Sequence, residues 1–354
     1  MKIIDRYLAR SFLSGWLSVN LVLAGLFSFL ELARQLDDVG EGRYRTADAL
    51  LYVALTLPGR MLELAPPSAL LGSIVSLGLL AKNLELLALR AHGISIQRVG
   101  WTVARPAVLV LLVLLLGAQF LIPVLEQTAW TRRETALSES GTLLPRGGFW
   151  TRDQGRFINL RTARDSGTQA VDIYEFAADG KLTTYIHARE ARIDEGGTWM
   201  LRDVRQKEFT GRGILTREKP QLTLPEVLTR EQAEVLALPP RTLSLTELLG
   251  FIANLEERGQ NAGRYRLALW QKLSLPVMTA AMIMLSLPFV FGPARSAGLG
   301  WRIMAGAIIG VAFFFFNQIL GYAGLIIQIS PAWTTFVPAL ALLAAGVFVS
   351  RKIV

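Results

Sequence analysis

Apolar residues along this chain gather into long runs separated by short polar stretches, and that spacing sets the expected architecture. Phe12–Leu32 is almost wholly apolar, and Leu62–Ala81, Trp101–Ile122, Leu273–Phe291, Ile303–Leu325 and Ala332–Val349 follow with the same character. At ~1.5 Å per residue, about 20 helical residues cross the hydrocarbon core of a bilayer. The pattern therefore predicts six membrane-crossing helices. The first run is longer than the roughly 7–15-residue core of a signal peptide and lacks a small-residue cleavage site, so it reads as a retained span. Pro66-Pro67 interrupt the second run and predict an irregular start. Pro276 and Pro288 lie inside the fourth, where neighbouring groups can satisfy the freed carbonyls.

Between the third and fourth runs the pattern changes. From Glu126 to about Arg241, Arg, Asp, Glu, Gly and Thr become common and no window could span a bilayer. Phe157–Leu160, Ala170–Phe176, Leu182–His187, Trp199–Val204 and Gln221–Leu224 suit strands, with turn signals at Ala178-Asp179-Gly180 and Glu195-Gly196-Gly197. VDIYEF, a turn, then KLTTYIHA reads as a hairpin. Regular short strands suggest an all-β sandwich or jelly roll. Leu243–Leu255 reads as an amphipathic connecting helix. The expected division is 1–125 (three spans), 126–242 (β-domain), 243–266 (connecting helix) and 267–354 (three spans).

Charge then orients the layout. Lys2, Arg6, Arg10, Lys82, Arg90, Arg98, Arg295, Arg302, Arg351 and Lys352 all fall on one side of the predicted spans. By the positive-inside rule, both termini and the Ala81–Gly100 stretch are cytoplasmic, and the β-domain lies outside the cytoplasm. The same bias accounts for the net charge of +9 in 354 residues. The hydrophobic fraction of 52% exceeds the ~45–50% of soluble domains. With no cysteine, disulfides and thiolate chemistry are excluded. No nucleic-acid-binding signature is present.

A search for catalytic chemistry returns little. There is no GxxxxGK[ST] phosphate loop, so the chain itself is not expected to hydrolyse ATP. The two histidines, His92 and His187, are predicted on opposite sides of the membrane, which excludes an HExxH-type metal pair. Neither accompanies a GxSxG elbow. No metal or cofactor is expected. Asn317 and Gln318 read as interhelical hydrogen-bonding groups rather than substrate contacts. What remains is Ala81–Gly100, AKNLELLALRAHGISIQRVG, a helix former that stops at Gly93 between two spans. By pattern alone it is either an ordinary connecting helix or a surface helix that passes motion from a soluble partner to the spans.

The N-terminal DRY, ALLG at Ala69–Gly72, LELLALRAHGIS and GQNAGRYRLALWQKLSLP…FGPARS carry a resemblance. The chain resembles the inner-membrane permease subunits of the lipopolysaccharide-transport ABC exporter, with the G-type branch closer than the F-type. The resemblance implies a periplasmic β-jellyroll domain, a paralogous F-type permease partner and a cytoplasmic ATPase homodimer that binds the ATP. It also implies a periplasmic bridge that receives the lipopolysaccharide. Residues about 82–98 then become the coupling helix, with Leu84, Glu85, Leu86, Leu89, Arg90, His92 and Gly93 as its coupling residues. Glu85 matches the acid that meets an arginine of the ATPase. Arg60 and Arg133 match cationic positions that face lipid phosphates, whereas Glu31, Asp37, Asp38 and Trp130 depart from the basic pattern of some relatives. That departure implies either a lipid with fewer phosphates or contacts displaced to Arg34, Arg43 or Arg45. Phe27, Leu30, Phe313, Phe316 and Ile319 are the candidate acyl-chain contacts. The alternatives are a permease for lipoproteins or another lipid, and a membrane scaffold with a periplasmic binding domain.

Overall fold

A computed structural model of the chain describes residues 3–137, 149–153, 156–162, 169–177, 180–193, 198–210, 213–224, 238–257, 261–291 and 298–352. The first apolar run forms α1 (Ile3–Asp37), which extends past the run at both ends. Hydrophobicity marks where a bilayer can sit, whereas the backbone ladder continues through the flanking polar residues. α2 (Thr46–Glu63) and α3 (Ala65–Lys82) meet at Leu64. Pro66-Pro67 occupy the first turn of α3, where a missing N–H leaves no intrahelical bond unmade. α4 (Glu85–Ala91) is a single short helix before α5 (Ile96–Ala118).

α6 (Leu121–Leu137) follows a break at Gln119–Phe120. The opening of the expected β-domain, from Glu126, is therefore helical. Its sequence, EQTAWTRRETAL, lacks the alternation of a strand, and the helix packs along α2. Beyond it lie β1 (Phe149–Asp153), β2 (Arg156–Thr162), β3 (Gln169–Phe176), β4 (Leu182–Ile193), β5 (Trp199–Thr210) and β6 (Gly213–Leu224). Each strand pairs antiparallel with its sequence neighbour in one six-stranded sheet. Among the described residues the jelly-roll expectation thus narrows to a meander without crossovers. The hairpin is β3–β4, closed by Ala177 N–H donating to Lys181 O at 2.9 Å, with Gly180 at φ +79° in its turn. Residues 178–179, 195–197 and Arg295, which the sequence reading used, lie outside the described residues. Val171, Ile173, Ile158, Ile186, Trp199 and Leu201 bury one face of the sheet.

The return to the helices is pinned. A 3-10 turn at Pro240–Thr242 leads to α7 (Leu245–Glu257). Ser244 and Glu247 form a capping box: Ser244 N–H donates to Glu247 Oε2 at 2.7 Å, and Glu247 N–H donates to Ser244 Oγ at 3.2 Å. Lys272 Nζ donates to Leu243 O at 2.6 Å, and Gln119 Oε1 accepts from Leu245 N–H at 2.9 Å.

α8 (Gly263–Phe291), α9 (Leu299–Ile326) and α10 (Pro331–Lys352) complete the chain. Among the described residues, α1, α3, α8, α9 and α10 are long and apolar enough to cross a membrane. The expected third span falls on α5, 23 residues long. α3 and α8 form the inner pair, with 72% and 61% of their apolar windows buried, against 17%, 11% and 17% for α1, α9 and α10. Phe12, Trp16, Leu77, Val103, Ile283 and Leu287 share their core. Gly72 lets α3 approach α1: a Cβ there would meet Trp16 Cα at 2.6 Å. Polar groups reinforce the contact, with Trp16 Nε1 donating to Ser68 Oγ at 3.0 Å and Asn20 Nδ2 to the same oxygen at 2.9 Å.

Candidate functional site

The short helix α4 has an inner and an outer face. Leu86 is buried, and Leu89 packs on the same core as Phe12 and Val99. Leu84 and Leu87, three residues apart, point outward at 63% and 53% exposure, with Arg90 on the exposed side. Leu84 sits at φ +63°, a left-handed conformation that costs a non-glycine residue about 1–2 kcal/mol. The tight entry turns α4 away from the axis of α3. At the exit, His92 Nδ1 lies 2.7 Å from Ala88 O, and Gly93 takes φ +80° without strain.

Glu85 is held in place. Tyr7 Oη, from the first turns of α1, donates to Glu85 Oε2 at 2.7 Å, and Asn83 Nδ2 reaches Oε1 at 3.4 Å. The carboxylate retains lone pairs beyond these two bonds and can accept from a guanidinium. Of the expected coupling set, Leu84, Glu85 and Arg90 are presented at or near the surface, whereas Leu86 and Leu89 anchor the helix. Sequence reading missed Leu87, whose outward place follows from its spacing to Leu84. It also missed Tyr7, which sits in the DRY element but carries no spacing signal toward Glu85.

At the far end of α1 the cations are already engaged. Arg133 donates to Gln35 Oε1 at 2.8 Å, to Asp38 Oδ2 at 2.6 Å and to Glu134 Oε1 at 2.9 Å. Its guanidinium also lies 6.0 Å and 5.9 Å from the ring centres of Tyr52 and Trp130. Tyr44 Oη donates to Gln35 Oε1 at 2.9 Å, and burial pushes this phenol up to about 12. Arg60 donates to Phe27 O and Ser28 Oγ, each at 3.2 Å, and its guanidinium lies 3.9 Å from Glu31. Arg34, with its side chain 80% exposed, and Arg43 and Arg45 stay open to solvent. Of the acids that depart from the basic pattern, Glu31 lies beside Arg60 and Asp38 pairs with Arg133.

The acyl-chain candidates divide as well. Phe27, Leu30, Phe316 and Ile319 are exposed on α1 and α9, while Phe313 packs against Leu70, Ile74 and Met282. Phe313 also lines a cavity of ≈ 140 Å³ between α2–α3, α6, α8 and α9 that contains Glu63, Glu126, Arg241, Gln271 and Lys272. Gln318 Oε1 accepts from Gln271 Nε2 at 3.3 Å, the interhelical bond expected of it. Asn317 Oδ1, by contrast, is buried without a partner among the described residues. Gly59 lies directly under the Glu126 carboxylate, so that any Cβ would collide with it. Burial, with Glu63 nearby, pushes the Glu126 carboxyl up to about 7.

A bundle of long apolar helices, interrupted by an antiparallel sheet and carrying a short surface helix between two of its members, has the layout of a membrane permease. The chain belongs to the lipopolysaccharide export system permease LptF/LptG family, which it matches over residues 6–352. Lipopolysaccharide export system permease protein LptG of Haemophilus influenzae is 31% identical over 340 residues, covering 95% of each chain. The protein of the same name from Escherichia coli K12 is 30% identical over 341 residues, covering 95% of this chain and 94% of its own.

Proposed function

We propose that this chain is the G-type transmembrane permease of an ABC exporter that extracts lipopolysaccharide from the inner membrane. In this reading six helices span the membrane, both termini and α4 are cytoplasmic, and the sheet is periplasmic. The chain is non-catalytic and works with an F-type permease, a cytoplasmic ATPase homodimer that binds ATP, and a periplasmic bridge that accepts the lipid. The observation that carries the reading is α4: a rigidly seated helix whose inner leucines grip the core while Glu85 and the outer leucines face away. An arginine of the ATPase meets Glu85 in a charge-assisted, directional contact. Tyr7 then ties the moving carboxylate to α1, whose exposed Phe27 and Leu30 stand with Phe316 and Ile319 of α9 as the acyl-chain surface.

The test is Glu85→Lys, assayed with the ATPase and the F-type permease in proteoliposomes. The expected result is a membrane-inserted chain in which hydrolysis no longer drives lipopolysaccharide release. Normal release would remove Glu85 from the mechanism. A second reading, export of a lipid with fewer phosphates, draws on the internal pairing of Arg60 and Arg133 with acids and amides. Photocrosslinking with defined lipids separates the two.

A further inference from the structure

Opposite charges meet without closing at the ≈ 140 Å³ cavity between α2–α3, α6, α8 and α9. Glu63 and Glu126 border it on one count, Arg241 and Lys272 on the other. The four come from the end of α2, from α6, from the 3-10 turn and from α8. They are near enough that Glu63, Lys272 and Arg241 all act on the charge of Glu126. Yet among the described residues no ion pair joins any two of them. Lys272 gives one of its donors to Leu243 O, while the side chains of Glu63, Glu126 and Arg241 hydrogen-bond to no described group.

Elsewhere in the chain opposite charges close directly, as Arg133 does on Asp38 at 2.6 Å. Partly buried ions left apart keep their desolvation cost unless a ligand meets them. A group carrying both signs matches this lining, whereas a simple anion or cation answers only half of it. Asn317 supplies a further acceptor: its Oδ1 is buried and without a partner among the described residues, and Asn317 lines the same cavity. The walls also grade from charged to apolar. Glu126 lies just beyond the run Trp101–Ile122 and Lys272 just before Leu273–Phe291, while Met278, Met282 and Phe313 lie inside runs. That is the order of a lipid headgroup above its chains. At ≈ 140 Å³ the space is smaller than the roughly 300–1,000 Å³ of drug-sized sites, so it admits a headgroup rather than a whole lipid.

We propose that this cavity binds a phosphoethanolamine group, the zwitterionic headgroup of a phospholipid. Its ammonium donates to Glu126, Glu63 and Asn317 Oδ1, and its phosphate accepts from Lys272 and Arg241 in charge-assisted bonds. The first carbons of the lipid chains lie along Met278, Met282 and Phe313. Burial alone favours a protonated Glu126, and an ammonium against it favours the carboxylate. The bound group thereby ties α2, α6 and α8 to the turn that leaves the sheet. Placement in the periplasmic leaflet rests on the topology proposed above; the recognition itself does not.

The test is native mass spectrometry of the purified full chain in an uncharged detergent, titrated with phosphatidylethanolamine, phosphatidylglycerol and phosphatidylcholine. Phosphatidylethanolamine is expected to be retained over both others, since phosphatidylglycerol lacks the ammonium and phosphatidylcholine lacks its N–H donors. Glu126→Gln is expected to weaken that retention about tenfold and leave phosphatidylglycerol unaffected. Glu63→Gln, at an exposed position, should weaken it about threefold and keeps the test decisive should the first variant fold poorly. Equal retention of the three lipids, or unchanged retention in Glu63→Gln and in folded Glu126→Gln, overturns the proposal. Displacement by millimolar phosphoethanolamine would support the assigned chemistry with a soluble source, and resistance to it supports the lipid. Displacement by purified lipopolysaccharide would give the cavity to the exported lipid and overturn the proposal. The assay contains neither ATPase nor F-type partner, so its outcome is scored apart from the export reading, which stands or falls on Glu85→Lys.

Discussion

Along α1 the molecule treats positive charge in two ways. At the far end, Arg60 and Arg133 are enclosed by Glu31, Gln35, Asp38 and Glu134, with side chains 17% and 19% exposed. At the α4 end, Lys82, Arg90 and Arg302 border a cavity with no acid in its described lining. The difference separates cations closed in by acids and amides from cations beside a cavity whose described lining holds no acid. A guanidinium whose donors are matched by carboxylate and amide acceptors has little left to offer a ligand unless a partner is displaced.

The contrast breaks most plainly at Arg133. Arg133→Ala leaves Asp38 and Glu134 half-buried without this donor, while Gln35 keeps Tyr44, and is expected to cost about 2–4 kcal/mol in thermal unfolding of the detergent-solubilised chain. Lys82→Ala should stay within about 0.5 kcal/mol of the parent. Matching losses in the two variants would end the distinction.

Glu126 sharpens the comparison through pH. Its carboxyl titrates at about 7 against an ordinary 4.5, because burial and Glu63 outweigh Lys272, Arg241 and Arg60. Between those values the folded chain holds a proton that the unfolded chain has released. Stability from this group therefore falls as pH rises from about 4.5 to about 7 and stays lower above it. Melting curves of Glu126→Gln should be flatter across that window, and an unchanged slope would remove Glu126 as its source.

Tyr7→Phe removes one exposed hydrogen bond at the opposite end, and stability should change little. Its sharper readout is the ratio of ATP hydrolysed to lipid released, which should rise as Glu85 loses its tether to α1. Gly93→Ala tests the exit of α4. Nothing lies within 4 Å of the added Cβ, so the φ of +80° alone sets a cost of about 1 kcal/mol, measurable as a small drop in melting midpoint.

The helices were largely legible because each rests on a local pattern. Pro66-Pro67 marked the start of α3, Gly93 followed α4 closely, and VDIYEF–turn–KLTTYIHA became β3–β4. The β-domain boundary was less legible, because α6 carries a composition as polar as the strands that follow it. Of the site, residue types were legible but not their partners. Arg60 and Arg133 could be named as cations, yet Glu31 lies 29 positions before the first and Asp38 lies 95 before the second. The inward and outward leucines of α4 could have been separated by helical spacing, but only the core beneath fixed which side was inward.

By itself the sequence determined that this chain has long apolar helices, an inserted run of strands and a short polar helix between two of the apolar ones. Those features depend on neighbours a few residues away and on runs long enough to cross a bilayer. Only the tertiary structure decided that Tyr7 holds Glu85, that acids close around Arg60 and Arg133, and that Lys82, Arg90 and Arg302 converge. Whether a charge is neutralised depends on distances of a few ångströms between helices far apart in the chain, and Coulomb and hydrogen-bonding energies follow that distance rather than sequence separation.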